Sequence, residues 1–220
     1  MPKRRLSFQD DGYFHIYNRG VEKRLIFLDR SDYQAFTDII HYYLNLTLQP
    51  PTDALARTGL KYAGIYYQHL TLISYCLMPN HFHLLLKQIT PGTIPKFIHR
   101  ISTTYSMYFN HRYHRVGPLF QNRFQAKPIE TESYLLYLSK YIHLNPKDLP
   151  RISSHPQLAR YKWSSYHLYL HPHSPKKPID FITDPGPILA YFKKTLKQFT
   201  YAHFVDTRPL PDWFLDDHLG

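Results

Sequence analysis

The chain has 220 residues, of which 43% are hydrophobic, so its composition supports a well-cored globular protein and excludes general disorder. Lys and Arg number 27 against 16 Asp and Glu, a net charge of +11 that favours a polyanionic partner, with nucleic acid as the first candidate. No stretch approaches the roughly 18 apolar residues of a membrane helix, and the basic N-terminus lacks a signal-peptide core. With a single cysteine, Cys76, we expect no internal disulfide and a cytoplasmic location.

Strand and helix signals alternate through the first part of the chain. Residues 13–17 form a β-forming run that predicts a strand. Ser31 and Asp32 offer an N-cap to a predicted helix that reaches about residue 46, and turn residues predict a loop at 50–59. Two further β-forming runs, at 65–78 and 81–87, are predicted to pair as a hairpin or as close neighbours.

The second part of the chain predicts helices and a long extension. Apolar residues recur at helical spacing from 94 to 111, and again from 131 to 145, where Pro146 ends the helix. From Pro146 onward the chain holds 10 of its 18 prolines and one short predicted helix at 188–199. We therefore expect a main domain at 1–146 and an extension at 147–220 that packs partly on it.

Two histidines open the strand predicted at 81–87. The period of two in a strand places His81, His83 and Leu85 on one face and the alternate apolar residues on the other. Same-face neighbours lie about 6.5–7 Å apart at Cα, so two imidazoles could converge on one metal ion. A two-residue pattern is weak alone, since exposed histidines would produce it too.

Basic and aromatic side chains alternate in residues 112–124. Arg112, Arg115 and Arg123 could bind phosphates, while the intervening rings could stack on unpaired bases. The alternative is a solvated loop whose aromatic residues cover the core. The abundance of rings, 20 Tyr and 14 Phe, suits a single-strand binder better than a reader of duplex grooves.

Tyr141 and Asn145 lie one turn apart on one face of the helix predicted at 131–145. Asn145 precedes a proline, which biases its backbone away from helical dihedral angles and leaves its side-chain direction open. A phenol with a pKa near 10 needs a cation or a base before it becomes a nucleophile.

These motifs resemble the single-tyrosine HUH transposases, the IS200-like transposases. The segment 77–83 is similar to their His-hydrophobe-His motif, and 141–146 is similar to their catalytic-tyrosine helix. The signals at 17–20, 117–123 and 163–166 are similar to the REP-associated tyrosine transposases in particular. The matches follow one another in order over about residues 13–166, and the chain beyond about residue 170 resembles nothing we recognise.

The resemblance implies an α+β, ferredoxin-like fold with a central antiparallel sheet, and a catalytic domain at 1–146. It implies metal-dependent cleavage and joining of single-stranded DNA beside hairpin or palindromic elements, through a 5′-phosphotyrosine. Tyr141 would be the nucleophile, and His81, His83 and Asn145 would hold Mg²⁺ or Mn²⁺. Arg19, Arg112, Arg115 and Arg123 are the expected DNA-binding residues, and the choice between a monomer and a homodimer stays open.

Three alternatives compete with this interpretation. A ferredoxin-like sheet with exposed rings can bind single strands by stacking alone, without a metal or a unique tyrosine. A zinc protein would use Cys76, His81 and His83, although the sequence offers no Cys-x-x-Cys pair. A relaxase or replication initiator would use related chemistry and would differ in its reaction product.

Overall fold

The computed structural model describes residues 8, 11–46, 64–150, 152, 154–194 and 199–214. Six elements follow one another as β-α-β-β-α-β: β1 (Gly12–Arg19), α1 (Arg30–Leu44), β2 (Leu70–Met78), β3 (His81–Gln88), α2 (Thr93–Arg112) and β4 (Gln125–Ile129). Every pairing is antiparallel and the strand order is β2-β3-β1-β4. This is the ferredoxin-like arrangement, so the predicted α+β fold class is confirmed.

The second part of the described chain is helical. It contains α3 (Glu132–Leu144), α4 (His155–Arg160), α5 (Tyr166–Leu170), α6 (Gly186–Lys194) and α7 (Tyr201–Thr207), with 3-10 turns at Val21–Lys23, Asn145–Asp148 and Pro178–Ile182. Among the described residues, none of the helices has both the length and the apolar character to cross a membrane.

The pleat of β3 separates two hydrophobic cores. Phe82, Leu84 and Leu86 belong to the core that the sheet shares with α1 and α2. Leu85 points the other way, into a core that includes α3 and the helices beyond it. The alternation predicted for β3 is therefore confirmed. His81 and His83 lie with Leu85 on the face of the sheet toward the second core, which we call the second face.

The extension supplies much of that second core and is also hydrogen-bonded to β2. Trp163 accepts a hydrogen bond at its carbonyl oxygen from the amide of Leu77 (2.8 Å), and the Ser165 hydroxyl accepts one from the amide of Tyr75 (2.9 Å). Phe214 is fully buried in the same core. The expected boundary after residue 146 falls inside the 3-10 turn Asn145–Asp148, and the division into domains stays a prediction.

The predicted starts of α1 and β2 differ from those in the structure. Asp29, and not Ser31 or Asp32, caps α1, because its carboxylate accepts hydrogen bonds from the amides of both residues. The strand predicted from residue 65 begins at Leu70, since turn hydrogen bonds and a positive φ at Gln68 occupy the preceding residues.

The helix predicted at 188–199 spans Gly186–Lys194, and residues 195–198 lie outside the described part, as does the loop predicted at 50–59. β4 was not predicted, because its sequence contains Pro128 and few β-forming residues. Its position at the edge of the sheet tolerates that proline.

Candidate active site

The register between β1 and β3 assembles one wall of the candidate site. Tyr17 lies opposite His83, and Arg19 lies opposite His81. Residues that pair directly across a sheet project from the same face, so these four side chains form a group on the second face. Helix α3 packs on that face and brings Tyr141 beside them, with its ring centroid 5.6 Å from that of His83.

The turn before His81 is held by backbone hydrogen bonds. The Pro79 carbonyl oxygen accepts from the amides of Ile26 (2.8 Å) and Phe27 (3.0 Å), and the Asn80 carbonyl oxygen accepts from the Gly20 amide (2.9 Å). The chain also passes close to Gly20, where a Cβ atom would lie 2.3 Å from the Arg24 carbonyl oxygen. The start of β3, which carries His81 and His83, is therefore fixed by hydrogen bonds to the segment that follows β1.

Asn145 joins the tyrosine helix to the histidine strand. It keeps helical dihedral angles (φ −46°, ψ −41°) despite the proline that follows. Its side-chain nitrogen donates to the Tyr141 carbonyl oxygen (2.9 Å), which leaves the amide oxygen facing His81, 3.4 Å from Nε2.

The hydrogen bonds around His81 create a place for a cation. Nδ1 lies 2.7 Å from the Asn80 amide oxygen and Nε2 lies 3.4 Å from that of Asn145. A neutral ring can donate to only one of these two acceptors, and the shorter contact favours Nδ1 as the donor, which leaves the lone pair on Nε2. Nε2 and the Asn145 oxygen are then two acceptors that face each other, an arrangement that a bound cation stabilises. Burial lowers the pKa of His81, with Arg19 acting in the same direction and Asn145 and Asp148 opposing it, so protonation is disfavoured.

The donor set fits a divalent metal. The His81 and His83 rings are nearly perpendicular, with centroids 5.0 Å apart. The described residues contain no group of three or more His, Cys, Asp or Glu side chains able to hold a metal, so a third protein donor would be the Asn145 amide oxygen. Imidazole and oxygen donors together suit Mn²⁺ and tolerate Mg²⁺.

Cys76 does not complete a zinc site. Its side chain is fully buried in the second core, and burial raises the pKa of its thiol well above the usual range. Zinc binds the thiolate, which this environment disfavours.

Tyr141 is half-buried and its phenol is protonated at neutral pH. Burial raises its pKa, Asp148 and Tyr17 act in the same direction, and the hydrogen bond with Asn145 opposes them. A nucleophilic Tyr141 therefore requires a nearby positive charge.

An open cleft of about 610 Å³ lies in front of these residues. Arg19 and Arg123 line it and are exposed, and the Arg19 Nε donates to the Gln121 side-chain oxygen (2.8 Å). The cleft thus combines a histidine pair, a tyrosine and two guanidinium groups, an arrangement suited to a phosphodiester.

The structure does not bring Arg112 and Arg115 to this cleft. Arg112 binds Asp29 (2.5 Å) and the fully buried Asp32 (3.2 Å) at the start of α1. Arg115 donates to the Asn110 side-chain oxygen (2.9 Å). Each thus has an internal structural role, and contact with DNA stays a prediction for both.

Two aromatic side chains beside His83 were not predicted as site residues, and both lie on β1. His15 is buried, with Nε2 2.8 Å from Nδ1 of His83. Tyr17 is 38% exposed, and its ring stacks on that of His83 at 5.8 Å. Strand alternation gives His15, Tyr17 and Arg19 a common face, but the register that pairs them with β3 is not visible in the sequence.

Known proteins are similar to this chain in part of its sequence and in its fold. Residues 64–145 match the family model described as "Transposase IS200 like", a segment that contains His81, His83, Tyr141 and Asn145. A solved REP-associated tyrosine transposase bound to a REP hairpin is similar in fold, with a TM-score of 0.53 and 16% identity over 84% of this chain and 93% of its own.

A putative transposase from Deinococcus radiodurans R1 is also 16% identical, over 64% of this chain and 93% of its own, with a TM-score of 0.36. No curated protein sequence matches the chain.

Proposed function

We propose that the chain is a metal-dependent transposase that cleaves and rejoins single-stranded DNA, on the ground that residues 64–145 match the family model described as "Transposase IS200 like". The substrate would carry hairpin or palindromic elements, as suggested by the fold shared with a REP-associated transposase bound to a REP hairpin. We expect the enzyme to act in the cytoplasm, where it meets chromosomal DNA.

One observation carries the proposal. Tyr141 lies on the same cleft as His81 and His83, and the Asn145 amide oxygen faces His81 Nε2 at 3.4 Å. A tyrosine with a purely structural role would not require two acceptors, His81 Nε2 and the Asn145 oxygen, that face each other beside it. The exposed Arg19 and Arg123 on the cleft supply charge for the flanking phosphates.

In the proposed reaction, the Tyr141 oxygen attacks phosphorus and the bond from phosphorus to the 3′ oxygen breaks. The products are a 5′-phosphotyrosine and a 3′-hydroxyl, with the phenolic proton finally on the 3′ oxygen. Attack by another 3′-hydroxyl reverses the step onto new DNA, so no ATP is needed. A divalent ion held by His81, His83 and Asn145 would offset the charge that grows on the phosphate oxygens.

The direct test is covalent capture of DNA on Tyr141. Incubation with a single-stranded hairpin oligonucleotide, 3′-labelled, and Mn²⁺ should give a labelled adduct on a denaturing gel, with Tyr141 as the modified residue in peptide mapping. Tyr141→Phe removes the attacking oxygen and keeps the ring, so the adduct should disappear while DNA binding survives.

Tyr137→Phe is the matched control, because Tyr137 lies one turn earlier on α3 and does not line the cleft. It should form the adduct normally. An adduct on Tyr134 or Tyr137 would keep the enzyme class and change the nucleophile, whereas tight binding without an adduct on any hairpin substrate would favour a non-catalytic single-strand binder.

A further inference from the structure

His15 lies behind the histidine pair, in the middle of β1. It is 1% exposed, so its ring has a fixed environment. Its Nε2 lies 2.8 Å from His83 Nδ1, and the two ring planes are 17° apart with centroids 5.1 Å apart, so the rings lie side by side and nearly coplanar. β1 and β3 are neighbouring strands near the centre of the sheet, so both rings are held by regular backbone pairing.

The direction of this hydrogen bond decides what His83 can bind. If His83 donates from Nδ1, its lone pair lies on Nε2, on the opposite side of the ring. If His15 donates, the neutral His83 ring is protonated at Nε2 and cannot be a ligand through that atom. A buried partner that accepts at Nε2 therefore selects the metal-binding tautomer.

We propose that His15 is a positioning residue that accepts a hydrogen bond from His83 Nδ1 and so orients His83 Nε2 toward the cation of the active site. The inference rests on the proposed function, because it concerns the same metal site. It adds a residue of β1 that does not line the cleft and would not touch the DNA or the ion.

The other histidine of the pair is held in the same way. His81 Nδ1 donates to the Asn80 side-chain oxygen at 2.7 Å, which leaves its own Nε2 as the acceptor. Both imidazoles of the pair are thus contacted at Nδ1 by a polar side chain, at 2.7 and 2.8 Å. Partners of this kind orient ligand rings, and their loss typically weakens metal binding about 10–100-fold.

The tautomer can be measured on the wild-type protein without metal. In a ¹⁵N-labelled sample, long-range ¹H–¹⁵N correlation spectra should show His83 protonated at Nδ1 and unprotonated at Nε2. Protonation of His83 at Nε2 would overturn the inference. This measurement uses the wild-type protein, so it does not depend on whether a variant folds.

Mn²⁺ affinity, measured by electron paramagnetic resonance, gives the second readout. His15→Phe keeps a ring and removes the acceptor, so the Kd for Mn²⁺ should rise about 10–100-fold. His15→Gln keeps an oxygen near the position of Nε2 and should rescue the affinity to within a few-fold of wild type. Cleavage should follow the same order and recover in part at high Mn²⁺.

His167→Phe is a matched control, since His167 is also buried and hydrogen-bonded, to Asp180 at 2.9 Å, and does not line the cleft. It should lower thermal stability and leave the Mn²⁺ affinity unchanged. If His81→Ala weakens Mn²⁺ binding and His15→Phe does not, the positioning role is wrong and the metal site stands. If wild type does not bind Mn²⁺, both proposals fail.

Discussion

At the scale of single residues, the active-site proposal depends on where lone pairs and charges point. The Asn145 amide could face either way, and its hydrogen bond to the Tyr141 carbonyl oxygen fixes the orientation that turns its oxygen to His81. The same reasoning distinguishes the arginines, because a guanidinium group bound to internal carboxylates is less available to phosphate than one that lines the cleft.

Arg123→Ala should weaken binding to single-stranded DNA and reduce the slope of log K against log salt by about one or less, with little change in stability. The reason is that Arg123 is exposed on the cleft, where its loss removes at most one phosphate contact. Fluorescence anisotropy at several salt concentrations measures the slope. An unchanged slope would exclude Arg123 from the DNA interface.

Arg112→Ala is the comparison variant and should chiefly affect folding. Its side chain is about one-third exposed and contacts Asp32, which is fully buried, so its removal leaves that carboxylate with less compensation. We expect a loss of roughly 1–3 kcal/mol in the free energy of unfolding, below the full cost of breaking a buried ion pair. A normal urea midpoint together with a reduced salt slope would instead support the contact with DNA.

At the scale of elements, α3 connects the face of the sheet that carries His81 and His83 to the extension. Tyr141 points to the cleft, while His143, two residues later, is buried on another side of the helix. His143 Nδ1 lies 2.7 Å from the Tyr201 hydroxyl of α7, and Nε2 lies 2.9 Å from the Ser165 hydroxyl. The extension therefore holds the helix that carries the proposed nucleophile.

This buried histidine predicts a pH dependence of stability. Burial lowers the pKa of His143 to about 3, so the folded protein keeps the ring neutral while the unfolded chain protonates it near pH 6.5. Its contribution to the free energy of unfolding is complete above pH 6.5 and is lost as the pH falls toward 3.

Urea unfolding of wild type and His143→Gln isolates the effect, because the other groups titrate alike in both proteins. The stability difference between them should shrink by about 2 kcal/mol from pH 7.5 to pH 5, at roughly 1.4 kcal/mol per pH unit below 6.5. A difference that does not change with pH would mean that His143 protonates freely in the folded state.

At the scale of the whole molecule, affinity and chemistry have separate sources. The net charge of +11 is spread over the chain, whereas the proposed metal donors form one small cluster. Phosphate contacts provide most of the affinity for nucleic acid, and the cation acts mainly on charge that develops in the transition state.

EDTA should therefore abolish formation of the 5′-phosphotyrosine and leave the Kd for hairpin DNA within a few-fold of its value with Mn²⁺. Anisotropy measures the affinity and a denaturing gel measures the adduct on the same samples, and added Mn²⁺ should restore cleavage. His81→Ala should give the EDTA result without a chelator. Full cleavage in EDTA would refute the metal-dependent mechanism.

The features of the site that could be predicted from the sequence are those that local periodicity sets. The pleat of β3 and the turn of α3 are set by backbone geometry, so the common face of His81 and His83 and the proximity of Tyr141 and Asn145 could be predicted from spacing. The resemblance of these motifs to a known family then predicted the ferredoxin-like order of the strands.

Tertiary structure decided the features that depend on distant partners. Only the register of β1 against β3 places His15 behind His83 and Tyr17 beside it. Only the packing of α1 against α2 places Arg112 beside Asp32 and away from the cleft. β4 is a strand because it pairs with β1 at the edge of the sheet, a position that tolerates Pro128. Spacing along a chain fixes which face a side chain takes, but the group it meets there depends on long-range pairing that no local pattern encodes.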